Sequence, residues 1–451
     1  MNVNSPRTQS VRLSLLALAV GGTLAALALA GPLNPPAGQV ASTYKTLSEV
    51  EPRTAINLTN TPGDADSLFK ITQPGSYYLT GNITGVAGRH GIEIAASGVT
   101  LDLMGFDLVG SAEVAALDGV SATVLNLTNI TIRNGSVRGW GGDGVDVGNS
   151  SNNLLDGLRA SANNGNGIAI GTGSTISGCL AYNNTAIGIW AVAGSTVTGC
   201  TAYSNNGNGI VVGQGSTVTG CTAYLNGELF FTANGIRAGS GSTVTGCTAH
   251  SNTGDGIFAS SGSTVTGCTA HSNTRDGISA GSGSTVAGCT ARLNIGNGIS
   301  ASSSSTVTGC TASSNTGDGI NVGISSTVTG CTARLNNGDG IQVDSDCRVT
   351  DNTCESNGFG AGNGAGIFAT GGDNRIEGNH CTGADRGIDV DVAGNIIIKN
   401  TCAGNIINWV IAANNYYGPI INRTGVVTAA VNGAAAAGTL ATTDPNANFS
   451  Y

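Results

Sequence analysis

The side chains of this chain that could meet a ligand recur at a fixed interval. Cys179, Cys200 and Cys221 are 21 residues apart, an interval lengthened by five follows, and Cys247, Cys268, Cys289, Cys310 and Cys331 resume the step. Three places beyond each cysteine stands a residue that varies: Tyr182, Tyr203, Tyr224, His250, His271, Arg292, Ser313 and Arg334. If these face outward they form a stripe that grades from aromatic to basic. Tyrosine rings offer apolar faces to sugar rings, and His and Arg can meet carboxylates or sulfates. The structural alternative is that equal residues on neighbouring strands support one another.

A second stripe follows each Gly-Ile pair and includes Trp190, Val211, Arg237, Phe258, Phe368 and Asp389. At its polar end Asp344, Asp389 and Asp391 are carboxylates of the kind that act as acid and base or hold Ca²⁺, and Arg237 is a cationic residue elsewhere on the stripe. No catalytic set is assigned; Asp389, Asp391 and Arg237 are the residues that stand as candidates, and no metal site or other cofactor is assigned. Asp143, Asp146, Asp255, Asp276, Asp318 and Asp339 lie in Gly-Asp-Gly-like turns, where Asp is ordinary turn chemistry. His250 and His271 lack a nucleophile or an acidic residue to orient them.

What must position these stripes is a repeat. The Gly-Ile pairs keep the cysteine beat at Ile168, Ile189, Ile210, Ile236, Ile257, Ile278, Ile299, Ile320 and Ile341. Such a period marks a solenoid. Ile210 and Val212 share one strand face, whereas Val218 and Ala223, five apart, need a bend at Gly220 to turn inward together. The segments are short and rich in β-branched residues and glycine, with no helical stripe. The expected fold is all-β: a single-stranded right-handed parallel β-helix of about 13 coils, three short strands per coil, with coils stacked about 4.8 Å apart.

Composition agrees. Glycine is 72 of 451 residues and aromatics 4%, which suits a thin interior of stacked Val, Ile, Ala and Cys. With three lysines and a net charge of −9, the surface lacks the clustered positive charge that nucleic acid requires. Arg7 and Arg12 before the apolar run Leu13 to Leu29, then Ala28-Leu29-Ala30, predict a secretory signal peptide over residues 1–30, with an uncleaved anchor as the alternative. No later segment is apolar enough to span a membrane. Residues 31–85, proline-bearing and off the beat, are expected to form a leader and N-terminal cap, 86–405 the β-helix, and 406–451 a C-terminal cap and tail closed by Trp409, Tyr416, Tyr417 and Pro419. The twelve cysteines are expected to be free core thiols, because their slot also takes Phe106, Leu158, Asn352, Asn379 and Asn400, and Cys354, Cys381 and Cys402 fall where Ala stands elsewhere; bonds between adjacent coils are the alternative.

Asn-containing turns before Gly-Ile strands, as in Asn205-Asn206-Gly207-Asn208-Gly209-Ile210, resemble the right-handed parallel β-helix repeats of the pectate-lyase-like superfamily over residues 86 to 405. Glu51-Pro52-Arg53-Thr54, Pro62-Gly63-Asp64-Ala65-Asp66-Ser67 and Pro74-Gly75-Ser76-Tyr77-Tyr78-Leu79 resemble the opening of an uncharacterised group of secreted β-helix proteins. The superfamily resemblance implies a substrate groove along the Gly-Ile strand face, which draws attention to Trp190, Arg237 and Phe258. Its catalytic fingerprints are mostly missing: Asn273-Thr274-Arg275-Asp276-Gly277-Ile278 is similar to one strand of polygalacturonases, but no Asp-Asp, Gly-His-Gly or Arg-Ile-Lys element accompanies it. Paired threonines such as Thr217 and Thr219 would form a grid that resembles the ice-binding faces of β-helical antifreeze proteins.

The expected function is a secreted protein that engages extracellular polysaccharide, by binding or as surface architecture. Tyr182, Tyr203, Tyr224, His250, His271, Arg292, Arg334, Trp190 and Phe258 are the expected contacts. The alternatives are a lyase, epimerase or hydrolase of acidic glycans, a structural spacer and, as a minor reading, ice binding. Oligomeric state is not legible.

Overall fold

The computed structural model describes residues 51–111, 116–228, 232–358, 364–422 and 443–450. The expected signal peptide, the leader to residue 50, the inserted Phe230 and Phe231, and residues 423–442 of the tail lie outside the described residues.

Every regular element among the described residues is a strand, and the strands wind into a parallel solenoid. A regular coil consists of three strands such as Ile210–Val212, Thr217–Thr219 and Thr222–Tyr224. The Gly-Ile strands form a separate 16-stranded sheet. The other two faces join into one 32-stranded sheet, because Thr131–Arg138 and Leu154–Ser161 each run through both. Equivalent residues pair directly, as in Ile189↔Ile210, Val197↔Val218 and Ala202↔Ala223.

There are about 17 turns, against about 13 expected. The difference lies at the ends, where coils carry no Gly-Ile or cysteine beat. Thr54–Ala55 already pairs with Tyr77 and Tyr78, Ser67–Ile71 pairs with His90–Ile94, and Ile407–Ile411 continues the Gly-Ile sheet.

The interior is as the repeat implies. Ile210, Val218, Cys221 and Ala223 are at most 1% exposed and their equivalents form one continuous apolar cluster. Gly220 adopts φ 60°, a left-handed bend in which a β-carbon would meet open space but a side chain would be strained. The three strands therefore face inward together.

Four columns of side chains stitch the turns. At the corner after the Thr-Ala strand, Asn226 Oδ1 accepts from the Asn205 backbone N–H (3.2 Å) and the Asn205 amide (3.0 Å), while its own Nδ2 donates to the Ala202 carbonyl and to Asn252 Oδ1, both at 3.0 Å. This chain of buried amides runs from Asn163 to Asn357. At the Gly-Cys bend each sulfur accepts the backbone N–H of the preceding coil, as Cys221 Sγ does from Cys200 at 3.4 Å. Asn352, Asn379 and Asn400 continue that column, and Asn448 ends it. The slot is thus a hydrogen-bonding position as well as a shape. A third column of serines links the first bend, with Ser216 Oγ accepting from Ser195 N–H at 3.1 Å. Cys347 belongs to this column, not to the cysteine one, since it accepts from Ser326. The fourth, at the turn into the Gly-Ile strand, carries the aspartates taken up below.

All twelve cysteines are free and buried. Burial pushes the Cys347 thiol up, and contact with Cys381 together with burial does the same to Cys354.

The opening motifs fasten the first coils. Arg53 lies over the Tyr78 ring (4.8 Å) and 3.5 Å from Asp102, and Lys70 bridges Asp64 and Glu93 at 2.7 and 2.9 Å. At the far end the strand Asn448–Ser450 lies on Thr401 and Cys402. Tyr416 and Tyr417 are 73% and 55% exposed, so the expected aromatic closure is made by that strand instead.

Removing Asn226 strands three buried polar groups of Asn205 and Ala202, each worth about 1–3 kcal/mol when unsatisfied. Asn226→Ala is expected to lower the denaturation midpoint by the equivalent of roughly 3 kcal/mol or more, whereas Cys331→Asn, which recreates the Asn352 pattern one coil earlier, changes it by less than about 1 kcal/mol. Equal midpoints for wild type and Asn226→Ala in guanidinium titrations refute the load assigned to the ladder.

Candidate functional site

The first outward stripe is a continuous stack. Tyr182, Tyr203, Tyr224, His250 and His271 lie on consecutive coils with ring centroids 5.0, 4.9, 4.9 and 4.8 Å apart and planes within 9° of parallel. Arg292, Ser313 and Arg334 continue the register, and the next position is Glu355. The spacing is that of the coils, because parallel pairing places each ring over its neighbour.

This geometry changes what the tyrosines can present. Their faces are turned to one another along the axis, so a ligand at the side of the stack meets ring edges and phenolic hydroxyls, not open ring faces. The expected flat sugar platform is replaced by a ridge. His250 Nδ1 lies 3.2 Å from Ser251 Oγ and His271 Nδ1 3.3 Å from Ser272 Oγ. Burial lowers both imidazole pKa values, and for His271 the neighbouring His250 and Arg292 lower it further. The histidines are therefore neutral at neutral pH, and the positive charge of the stripe rests on the exposed Arg292 and Arg334.

The second stripe is also in register. Trp190, Val211, Arg237 and Phe258 occupy successive strands of the Gly-Ile sheet, Trp190 is 44% exposed, and the Arg237 guanidinium lies 5.8 Å over the Phe258 ring. Asp389 is on the same stripe, paired with Phe368. Seven coils separate it from Arg237, roughly 34 Å at about 4.8 Å each.

Asp389 is 1% exposed and one of its oxygens contacts Arg386, while Asp391 is exposed. A solvent-closed carboxylate held by its own arginine does not reach a ligand on the sheet face. Arg237, Asp389 and Asp391, the candidates for catalysis, are thus not brought together. Among the described residues no three His, Cys, Asp or Glu side chains converge to hold a metal ion.

The Gly-Asp-Gly aspartates form the fourth column, except Asp146, which stands on the strand Val145–Val147 and pairs with Ala169. Asp255 N–H donates to Asn234 Oδ1 (2.9 Å), Asp276 N–H to Asp255 Oδ1 (3.1 Å), and Asn297 N–H to Asp276 Oδ1 (2.7 Å). Asp143 and Asp339 act in the same way on Asn166 and Ala365, and Asp118 begins the series. Burial, with repulsion from the carboxylates on neighbouring coils, pushes Asp255 and Asp339 up to about 6 and Asp118 up to about 7. The turn assignment suffices for them.

The paired threonines are in register from Thr196 and Thr198 through Thr264 and Thr266, and the grid is broken by Ala287 and by Arg348.

One site feature escaped sequence reasoning. The five-residue interruption of the beat leaves a cavity of about 480 Å³ lined by Thr185, Asn206, Gly207, Asn208, Glu228, Thr232 and Ala233. Its signal was the lengthened interval between Cys221 and Cys247. A second interruption occurs at the same corner, where Asn357 to Ile367 spans ten residues instead of five.

The right handed beta helix region family matches residues 116–265, 226–327 and 259–407, more than half of the chain. The chain belongs to that family. No curated protein matches it. Among solved structures it is similar to the A-module of mannuronan C-5 epimerase AlgE4 from Azotobacter vinelandii, with 16% identity, 62% of this chain and 86% of that chain covered, and a TM-score of 0.44. The AlgE6 A-module from the same organism gives 14% identity, 76% and 89% coverage, and a TM-score of 0.37. Pectate lyase Pel9A gives 13%, 73% and 71%, and 0.27.

The aspartate column carries a pH prediction. The folded pKa of Asp255 lies above the unfolded value near 4, so its favourable contribution is complete below about pH 4 and disappears as pH rises through about 6. Asp255→Asn preserves the acceptor and is expected to raise the melting temperature at pH 7.5 while leaving it unchanged or lowered at pH 3.5. Scanning calorimetry that gives the same difference at both pH values removes the electrostatic account.

Proposed function

We propose that this protein is exported and binds extracellular polysaccharide laid along the solenoid axis, without chemically altering it. The observation that carries the proposal is the single-coil periodicity of the ring ridge: five rings at 4.8 to 5.0 Å, followed in register by Arg292. An extended glycan advances by a similar length per sugar residue. A chain lying parallel to the axis therefore meets an equivalent hydroxyl-bearing edge at each sugar.

The ridge is also stiff. Each ring is supported by its neighbours and by the parallel ladder beneath, so little side-chain entropy is lost when a ligand docks. Trp190 and the Arg237–Phe258 pair sit on an adjoining face of the same coils and extend the apolar surface. Binding is favoured over turnover because acid, base and cation must converge within hydrogen-bond reach, and Arg237, Asp389 and Asp391 do not. Proteins of this fold perform unrelated tasks, so the assignment rests on these residues and not on family membership.

The test is retardation in native gels cast with individual plant, algal and bacterial polysaccharides, paired with assays for unsaturated and reducing ends. At least one polysaccharide is expected to retard the protein with no product formed. Replacing both Tyr203 and Tyr224 with Ala should weaken that retention about ten-fold, the effect of losing two ring contacts. Unchanged retention excludes the ridge, and released oligosaccharide products replace binding with catalysis.

A further inference from the structure

The corner that carries the five extra residues is the place where unlike side chains meet around a concavity. In regular coils the chain passes from the buried Asn to the Gly-Ile strand in five steps, as from Asn205 to Ile210. From Asn226 to Ile236 it takes ten.

Both feet of the detour are fixed on the ladders. Gly227 N–H donates to the Asn205 carbonyl at 2.8 Å, Ala233 N–H to Thr253 Oγ1 at 3.1 Å, and Asn234 N–H to Asn208 Oδ1 at 2.7 Å. Gly227 has φ 95°, and a β-carbon there would lie 1.8 Å from Thr253 Oγ1, so the first foot admits only glycine without rearrangement. The two feet of the detour thus belong to the solenoid ladder.

We infer that this cavity of about 480 Å³ is a subsite for an uncharged sugar unit, contacted by Asn206, Glu228, Thr185 and Thr232. The inference rests on the glycan reading above and narrows its substrate class. The volume falls within the range of small-molecule sites. Its polar lining consists of amides, hydroxyls and one carboxylate, which can donate to and accept from sugar hydroxyls. Neither the Asn206 amide nor the Glu228 carboxylate has a hydrogen-bond partner among the described residues. Among the described residues no Lys, Arg or His lines the cavity. A uronate or sulfated sugar would bring its negative charge toward Glu228 with no cation among the described lining residues to offset the repulsion.

Placement supports the same conclusion. Asn206 is three residues beyond Tyr203, Glu228 four beyond Tyr224, and Thr185 three beyond Tyr182. The cavity lies on the coils that carry the tyrosine part of the ridge, while Arg292 and Arg334 lie several coils away. Neutral recognition is therefore assigned to the aromatic end of the stripe.

The experiment is calorimetric titration of the full-length protein at pH 7 with cello-, xylo- and chito-tetraose and with tetragalacturonate. At least one neutral probe is expected to bind more tightly than tetragalacturonate. Asn206→Ala and Thr232→Val should each weaken that probe about five-fold, the loss of one hydrogen bond. Glu228→Gln should tighten tetragalacturonate about three-fold or more by removing the opposing charge. Unchanged melting temperatures establish that the variants fold.

The inference is overturned if tetragalacturonate binds wild type as tightly as the neutral probes, if no neutral probe binds, or if Asn206→Ala and Thr232→Val leave affinity unaltered. Retention of polysaccharide that is lost in the Tyr203, Tyr224 double variant but intact in Asn206→Ala would sink the cavity alone. Absence of retention by every polysaccharide would sink the glycan reading itself.

Discussion

The buried asparagine at the corner of each coil from Asn163 to Asn357 is the constraint on which the rest of the molecule depends. Its backbone N–H faces the interior, where water cannot satisfy it, and Oδ1 of the next asparagine accepts it. The same oxygen accepts the side-chain amide of that neighbour, and the amide's other hydrogen goes to a carbonyl, as in Asn226 to Ala202. Slipping one coil by one residue would put Leu225 or Gly227 in this position and leave donors and acceptors unmatched on both sides. The cost of several buried unsatisfied groups exceeds what a short strand of three residues can recover. Register is thereby fixed, and fixed register aligns every outward residue with its counterpart.

This arrangement makes the interior polar at the corners and apolar between them. The apolar columns of Ile, Val and Ala provide non-directional burial, which tolerates small errors of position. The Asn, Ser and Cys columns do not tolerate them, because hydrogen bonds have narrow distance limits. Sulfur is the weakest acceptor of the three, and its column contains the greatest variety, from Leu158 through eight cysteines to Asn352 and Asn379. The most permissive slot is the one whose loss of hydrogen bonding costs least. At the last coil Asn448 serves the Asn400 N–H and takes two carbonyls, so the column ends without an exposed edge.

The fold was legible because its two markers, Gly-Ile and Cys, keep one beat in the central coils. Inward Ile210, Val218 and Cys221 and the bend at Gly220 follow from that beat and from strand alternation. The end coils were underestimated because there the interior is filled by Ile71, Ile92, Leu101 and Ile388 without the repeated phrase. For the surface, the sequence revealed which residues share a stripe but not how their side chains orient. Tyr203 and Tyr224 could point ring faces or edges at solvent from the same backbone position; stacking against both neighbours decides it. Asp389 illustrates the same limit. Alternation places it outward, yet Arg386, three residues earlier on the same strand, folds over it.

A perfect repeat also restricts what a solenoid can do. Translation by one coil maps each side chain onto a like one, so the natural product of repetition is a row of equivalent contacts suited to a repetitive ligand. Chemistry and sharp selectivity require different groups to converge from different directions. Along this chain convergence arises where the beat fails, and both long interruptions, after Asn226 and after Asn357, fall at the same corner. The first joins Asn206, Glu228 and Thr232 around one cavity beside the tyrosine ridge. Regular coils can thus supply alignment and stiffness while an interrupted coil supplies discrimination. On the proposed glycan reading, this division places discrimination in the departures from the repeat and not in its repeated residues.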